Sequence, residues 1–292
     1  MDKKFIDLPN KETLAYLEMG SAQNETLVLL HGNMSSSVHY LPVLEDLAKA
    51  YHVLAMDLRG FGDSTYHTPI EHLDDFADDV TAFLDLKNID ACYVAGWSTG
   101  GGIGLSLAAR YPNRFKKLVL IESASYKGYP IFEKDASFQP IIGKQYQSKE
   151  AMSKDAVQVV PALQAMQANN VSVMTDIWKA VIYNVKVPEN HELFISETLK
   201  QKNLIDVDWA LMTFNMSHEH NGVVNGSGLI DKVTLPVLSI YGKKDIVIPE
   251  HMFKETVEAL KDVQTHTFEN GSHSPITDDP QALSKVILSF LA

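Results

Sequence analysis

The sequence predicts an α/β chain: a mostly parallel sheet flanked by helices, with a helical segment inserted late in the order. Three observations predict it. Short apolar runs alternate with longer stretches of helical periodicity, which implies parallel strands joined by right-handed crossovers. All runs but the last are nearly continuous in apolar side chains, as strands covered on both faces must be. The alternation then stops between residues 126 and 233, where only helical pieces are visible.

Taken in order, residues 13–19 read as an antiparallel strand at the start. The apolar runs follow at 26–31, 53–57, 92–96, 118–121, 237–241 and 265–268. Helical periodicity occupies 38–50, 72–86 and 99–110, and later 250–260 and 280–291. Within 126–233 the helical pieces are 149–169, 172–183, 192–202 and 206–216. A structureless loop of that length does not belong inside a compact domain. The division is therefore a core of residues 1–125 and 234–292, with 126–233 as an inserted helical cap. No internal repeat or low-complexity stretch interrupts this order.

Composition narrows the function. The chain has 292 residues, 45% of them hydrophobic, enough to bury a full core. Its formal net charge of -12, with no run of basic residues, argues against nucleic acid as a partner. The same balance offers no steering for a strongly anionic substrate. The lone cysteine, Cys92, sits in an apolar run and excludes an intramolecular disulfide. No stretch approaches the roughly 20 apolar residues of a membrane helix, and the first residues lack the apolar region of a signal peptide. A cytoplasmic protein without membrane insertion is expected.

The chemistry starts at Gly96-Trp97-Ser98-Thr99-Gly100, a G-x-S-x-G pattern between an apolar strand and a helix. A serine on so sharp a turn needs small neighbours, and the turn lifts its hydroxyl clear of the sheet. The following helix also aims free N–H groups at a developing oxyanion. His31-Gly32-Asn33-Met34 closes the first core strand. There the N–H of Asn33 is a candidate oxyanion donor beside that of Thr99, and His31 reads as a structural residue.

A serine hydroxyl needs a base. Among eleven histidines, His273 in Asn270-Gly271-Ser272-His273 is the candidate, on a glycine-containing loop after the last strand. His251 and His266 fall in a helix and a strand. His218 and His220 lie close together, but no third ligand accompanies them, so no metal is expected. The base needs an orienting acid. Asp245, just beyond a core strand, is preferred to Glu122 at the end of the previous one, and the order Ser98, Asp245, His273 suits this type of turn.

Together these segments resemble the α/β-hydrolase fold family, specifically its cap-bearing members of carboxylesterase type. Asp57-Leu58-Arg59-Gly60-Phe61-Gly62-Asp63-Ser64 is similar to the family's D-x-R-G-x-G-x-S loop, whose aspartate and arginine are structural. The resemblance implies a serine hydrolase with no cofactor, acting on a small molecule. Serine at position 98 disfavours the relatives with an aspartate nucleophile, and Trp97 and Thr99 depart from the commoner neighbours. The bond remains open among ester, lactone and thioester. A carbon–carbon bond hydrolase or a cofactor-free perhydrolase would use the same triad, and a ligand-sensing protein with slow or no turnover is the reading from another class. Trp97, Trp178, Ile182, Trp209, Met212 and Phe214 are the candidate pocket residues, suggesting an apolar substrate. A homodimer through the cap stays open, since no heptad or exposed stripe compels it.

Overall fold

The apolar run Thr26–Leu30 forms β3, and all five of its residues are buried. It stands at the middle of the architecture. The computed structural model describes all residues from Met1 to Ala292. Before it come β1 (Lys4–Asp7) and β2 (Thr13–Met19), which pair antiparallel. After it come α1 (Leu41–Ala48), β4 (His52–Met56), α2 (Leu73–Leu86), β5 (Cys92–Trp97), α3 (Thr99–Arg110) and β6 (Phe115–Ile121). The eight-stranded sheet has the order β1-β2-β4-β3-β5-β6-β9-β10, where β9 is Val237–Gly242 and β10 is Val263–Phe268. From β4 to β10 every neighbouring pair is parallel. The predicted mostly parallel sheet flanked by helices is what the chain forms.

Side chains alternate across the sheet, so each face builds its own core. Val28, Leu30, Leu54 and Val94 pack under α2 and α3. Leu27, Leu29, Val53 and Ala95 pack under α1 and the C-terminal helix α11 (Pro280–Leu291). The chain steps from β3 to β4 on one side, then returns to lay β5 on the other. A crevice opens at such a reversal, outside the carboxyl ends of the strands. Gly32 and Ser98 follow those two strand ends.

Between β6 and β9 the chain makes a hairpin and several helices. The hairpin, β7 (Phe132–Lys134) with β8 (Pro140–Gln145), corrects the expectation of helical pieces alone. It carries no buried apolar run because β8 is almost wholly exposed, and a strand with no covered face leaves no hydrophobic signature. The expected helix at 149–169 is two: α4 (Lys149–Met152) and α5 (Val160–Gln167). Asp155 separates them, its carboxylate accepting from the N–H groups of Val157 and Gln158 at 2.9 and 2.7 Å. The remaining helices of this stretch are α6 (Val171–Val181), α7 (His191–Thr198) and α8 (Leu204–Thr213), while α9 (Glu250–Ala259) follows β9 and α10 (Pro275–Asp278) follows β10. No helix is long and apolar enough to cross a membrane.

Candidate active site

β5 ends on Trp97, and the next residue turns the chain into α3. Ser98 holds φ 54° and ψ −118° there, a conformation that side-chain-bearing residues avoid. Glycine makes the turn feasible. A methyl group on Gly96 would collide with the carbonyl of Gly100, and one on Gly100 with that of Leu30. Gly32 yields from the β3 side, where an added Cβ would lie 2.8 Å from that of Ser98.

His273 follows β10 on a tightly held loop. Ser272 donates both its N–H and its hydroxyl to Asp278 at 2.6 Å. The Trp97 indole donates to the His273 carbonyl at 2.7 Å. So held, the imidazole places Nε2 3.0 Å from the Ser98 hydroxyl and Nδ1 2.8 Å from Asp245 Oδ2. The other Asp245 oxygen accepts from the N–H groups of Val247 and Ile248 at 2.7 and 3.0 Å. Burial works against its charge, but His273, Glu122 and the Ile248 N–H outweigh burial and hold the carboxyl below the usual range. This network sets the tautomer: Nδ1–H donates to Asp245, and Nε2 is free to take a proton from Ser98.

Glu122 stands directly behind Asp245. It directly follows β6, with φ 43°, and is buried. Neither of its oxygens has a hydrogen-bond partner of good geometry, but its carboxyl lies against that of Asp245 and near the Gly242 N–H. Two such carboxyls share a proton. Burial first, then the Asp245 charge, pushes Glu122 well above the ordinary glutamate range, so it is the protonated partner.

Asn33 and Thr99 line the same cavity as Ser98 and His273. The Asn33 N–H has no backbone acceptor, and that of Thr99 opens a helix, where no intrahelical partner exists. Asn33's side chain is occupied elsewhere: Nδ2 donates to Asp208 at 2.8 Å, and Oδ1 accepts from Gln201 at 2.8 Å. Thr198 reaches the Met34 carbonyl at 2.6 Å. The loop after β3 is thereby tied to the inserted segment.

Residues 25–280 match the alpha/beta hydrolase fold family. The chain belongs to that family. It is 25% identical, over 99% of its own length and 91% of the relative's, to the 2-hydroxy-6-oxo-6-(2'-aminophenyl)hexa-2,4-dienoic acid hydrolase of Metapseudomonas resinovorans. It is 24% identical to the pimeloyl-[acyl-carrier protein] methyl ester esterase of Aeromonas hydrophila, covering 92% of this chain and 96% of that one. In structure it is similar to an esterase of Rhodococcus sp. ECU1013, with a TM-score of 0.73 over 99% of this chain and 98% of that one, at 20% identity. The chain is thus an enzyme of the α/β-hydrolase superfamily with esterases among its relatives.

The hydrolase has a cavity of about 350 Å³ over Ser98, walled by the core and the insertion. Of the expected pocket residues, Ile182 lines it and the other five do not. Trp97 and Trp178 face the α1 side of the sheet, where Trp178 stacks on His39 at 5.1 Å. Met212 is buried against Ile131 and Met152, with Trp209 leaning on the same group. Phe214 packs into the core beneath α3. Large aromatic side chains on short helices gain most by covering apolar core. The wall instead uses Tyr129, Leu211, Ile177 and Ile248, together with Asp208. Asp208 left one signal, a carboxylate in the otherwise apolar run Val207-Asp208-Trp209-Ala210.

His31 accepts the Leu58 N–H on Nε2 at 3.0 Å and meets the Gly32 carbonyl with Nδ1 at 2.8 Å. Burial pushes it down to about 4, leaving it neutral at pH 7. Asp57 accepts from the N–H groups of Ser37 and Asp63, and Arg59 forms a two-pronged pair with Asp79 at 2.7 and 2.8 Å. Asp57, Asp63 and Glu197 come within ligand distance of one another. The Lys3 ammonium already fills their centre, at 2.7, 2.8 and 2.6 Å. His218 pairs with Asp231 at 3.0 Å on the surface.

Proposed function

We propose that this enzyme is a serine hydrolase cleaving a carboxylic ester, lactone or thioester of a small to medium, largely apolar substrate. The observation that carries the reading is the hydrogen-bonded chain from Ser98 through His273 to Asp245, at 3.0 and 2.8 Å. His273 takes the Ser98 proton as the hydroxyl attacks the acyl carbon. The N–H groups of Asn33 and Thr99 hold the oxyanion. Asp245 stabilises the imidazolium, which protonates the leaving alcohol. Water activated by His273 then releases the acid. The segment 126–233 acts as a cap whose inner wall selects the substrate.

The first relative named above supports a second reading, a carbon–carbon bond hydrolase with the same triad. The cavity wall weighs against it. No Lys or Arg lines the wall to meet an acid anion, and desolvating an unpaired carboxylate is costly.

The test is turnover of p-nitrophenyl esters of graded chain length by wild type and Ser98→Ala. Steady turnover in wild type, reduced about 10³-fold or more in the variant, supports the reading. Turnover that persists in Ser98→Ala would sink it. Labelling of Ser98 by a fluorophosphonate without turnover would point to a ligand-sensing role.

A further inference from the structure

Asp208, on α8, is the sole Asp, Glu, Lys or Arg in the cavity wall. Its Oδ1 accepts from Asn33 Nδ2 at 2.8 Å. Its Oδ2 has no protein partner and is not among the enclosed, unsatisfied atoms of the chain. That oxygen therefore keeps access to open space, and the space that Asp208 borders is the cavity above Ser98. No cation stands by to neutralise it: the other charge that acts on it is Asp155, itself paired with Lys134 at 2.8 Å. The remaining titratable groups facing the cavity are Tyr129 and His273.

Much of the surrounding wall is aliphatic, with Ile177, Leu204 and Leu211 among its residues. An acceptor kept unpaired in such a wall costs free energy in the empty enzyme. A ligand that brings a donor recovers that cost, and a ligand with only a methyl group at the same place does not. We infer that Asp208 is a specificity subsite accepting a hydrogen bond from an O–H or N–H group on the substrate, so that hydroxy- or amino-substituted esters are preferred to plain or anionic ones. The inference rests on the ester hydrolysis proposed above and adds the substrate's second recognised group. Both donor types share the chemistry that the free oxygen selects.

Asp208→Asn is the informative variant. Its amide oxygen can still accept from Asn33, while its NH₂ turns the cavity-facing acceptor into a donor. A residue that only positioned Asn33 would thus be largely replaced. Two isosteric sets cover the two sides of the ester: ethyl heptanoate with ethyl 6-hydroxyhexanoate and ethyl 6-aminohexanoate, and propyl butanoate with 2-hydroxyethyl butanoate. The readout is the ratio of kcat/KM for donor ester over methyl isostere, which a general loss of activity does not move. In at least one set wild type should favour a donor ester about tenfold or more, and Asp208→Asn should erase that ratio. The hydroxyl and amine arms report which donor is used.

Wild type alone offers a check that no folding defect can spoil. Burial raises Asp208 to about 7, against the Asn33 hydrogen bond. The preference for the amino ester should therefore fall between pH 8 and pH 6, while the need for His273 is common to both esters and cancels. Ratios near one in every set, or a ratio unchanged in Asp208→Asn, overturn the inference. If no ester is turned over, the proposed hydrolysis has failed, and calorimetric titration with hexylammonium decides the subsite alone. Binding about tenfold weaker in Asp208→Asn supports it, and equal binding overturns it.

Discussion

Two carboxyl groups at adjacent strand ends show how environment assigns different roles to side chains of the same chemistry. Asp245 bonds His273, and Glu122 sits behind it without reaching the imidazole. Asp245→Asn should lower kcat by about 10³- to 10⁴-fold with the fold intact, because an amide cannot hold the required tautomer. Glu122→Gln keeps a donor toward Asp245, and kcat should change by less than about tenfold. Its stability should respond to pH. Glu122 is raised in the folded state, so the folded chain retains a proton that the unfolded chain loses above about pH 4.3. That contribution is full at lower pH and is lost as pH rises toward the folded value. Melting temperatures measured from pH 5 to pH 9 should show Glu122→Gln gaining on wild type as pH increases.

Among the elements, the strand–turn–helix unit β5–α3 carries the most constraint. It is packed against the end of β3, where its Gly100 abuts Leu30 and Gly32 abuts its Ser98. Gly32→Ala should reduce kcat/KM about 100-fold or more by displacing Ser98, at a stability cost of about 1–3 kcal/mol. Activity assays beside urea denaturation would separate the two effects. The elements of the insertion were harder to place from sequence than those of the core. The buried strands announce themselves as apolar runs, whereas β7 is only half-buried and β8 almost wholly exposed. The helix broken at Asp155 shows a second limit: side-chain hydrogen bonds to backbone N–H groups interrupt a periodicity that is otherwise continuous.

For the molecule as a whole, Lys3 joins three parts of the chain. Its ammonium bridges Asp57 at the end of β4, Asp63 on the following loop and Glu197 on α7 of the insertion. Lys3→Met would leave three carboxylates facing one another. The expected loss is about 3–5 kcal/mol, read as a lower urea midpoint, with part of it recovered on mild acidification as the carboxylates take up protons. The same joint bears on the site, because Glu197 lies one residue before Thr198, which holds the Met34 carbonyl. Freeing it should also weaken catalysis, seen as a lower kcat/KM at temperatures where the variant is still folded.

The order of the core strands from β2 to β10, the parallel sheet and the placing of Ser98, Asp245 and His273 beyond strand ends are legible in the chain, because each depends on local pattern. Apolar runs mark strands covered on both faces, and a glycine-flanked serine marks a turn that only small residues allow. The pocket was not legible in that way. Trp178 on α6 and Phe214 just past α8 could face either core or cavity, and burial drew both inward. Asp208 comes to lie against Asn33, far away in sequence, only through the packing of α8 over the loop after β3. Local pattern carries the sites that a strand end creates. The tertiary structure decides which side chains wall them, since that depends on which face of each helix finds the core.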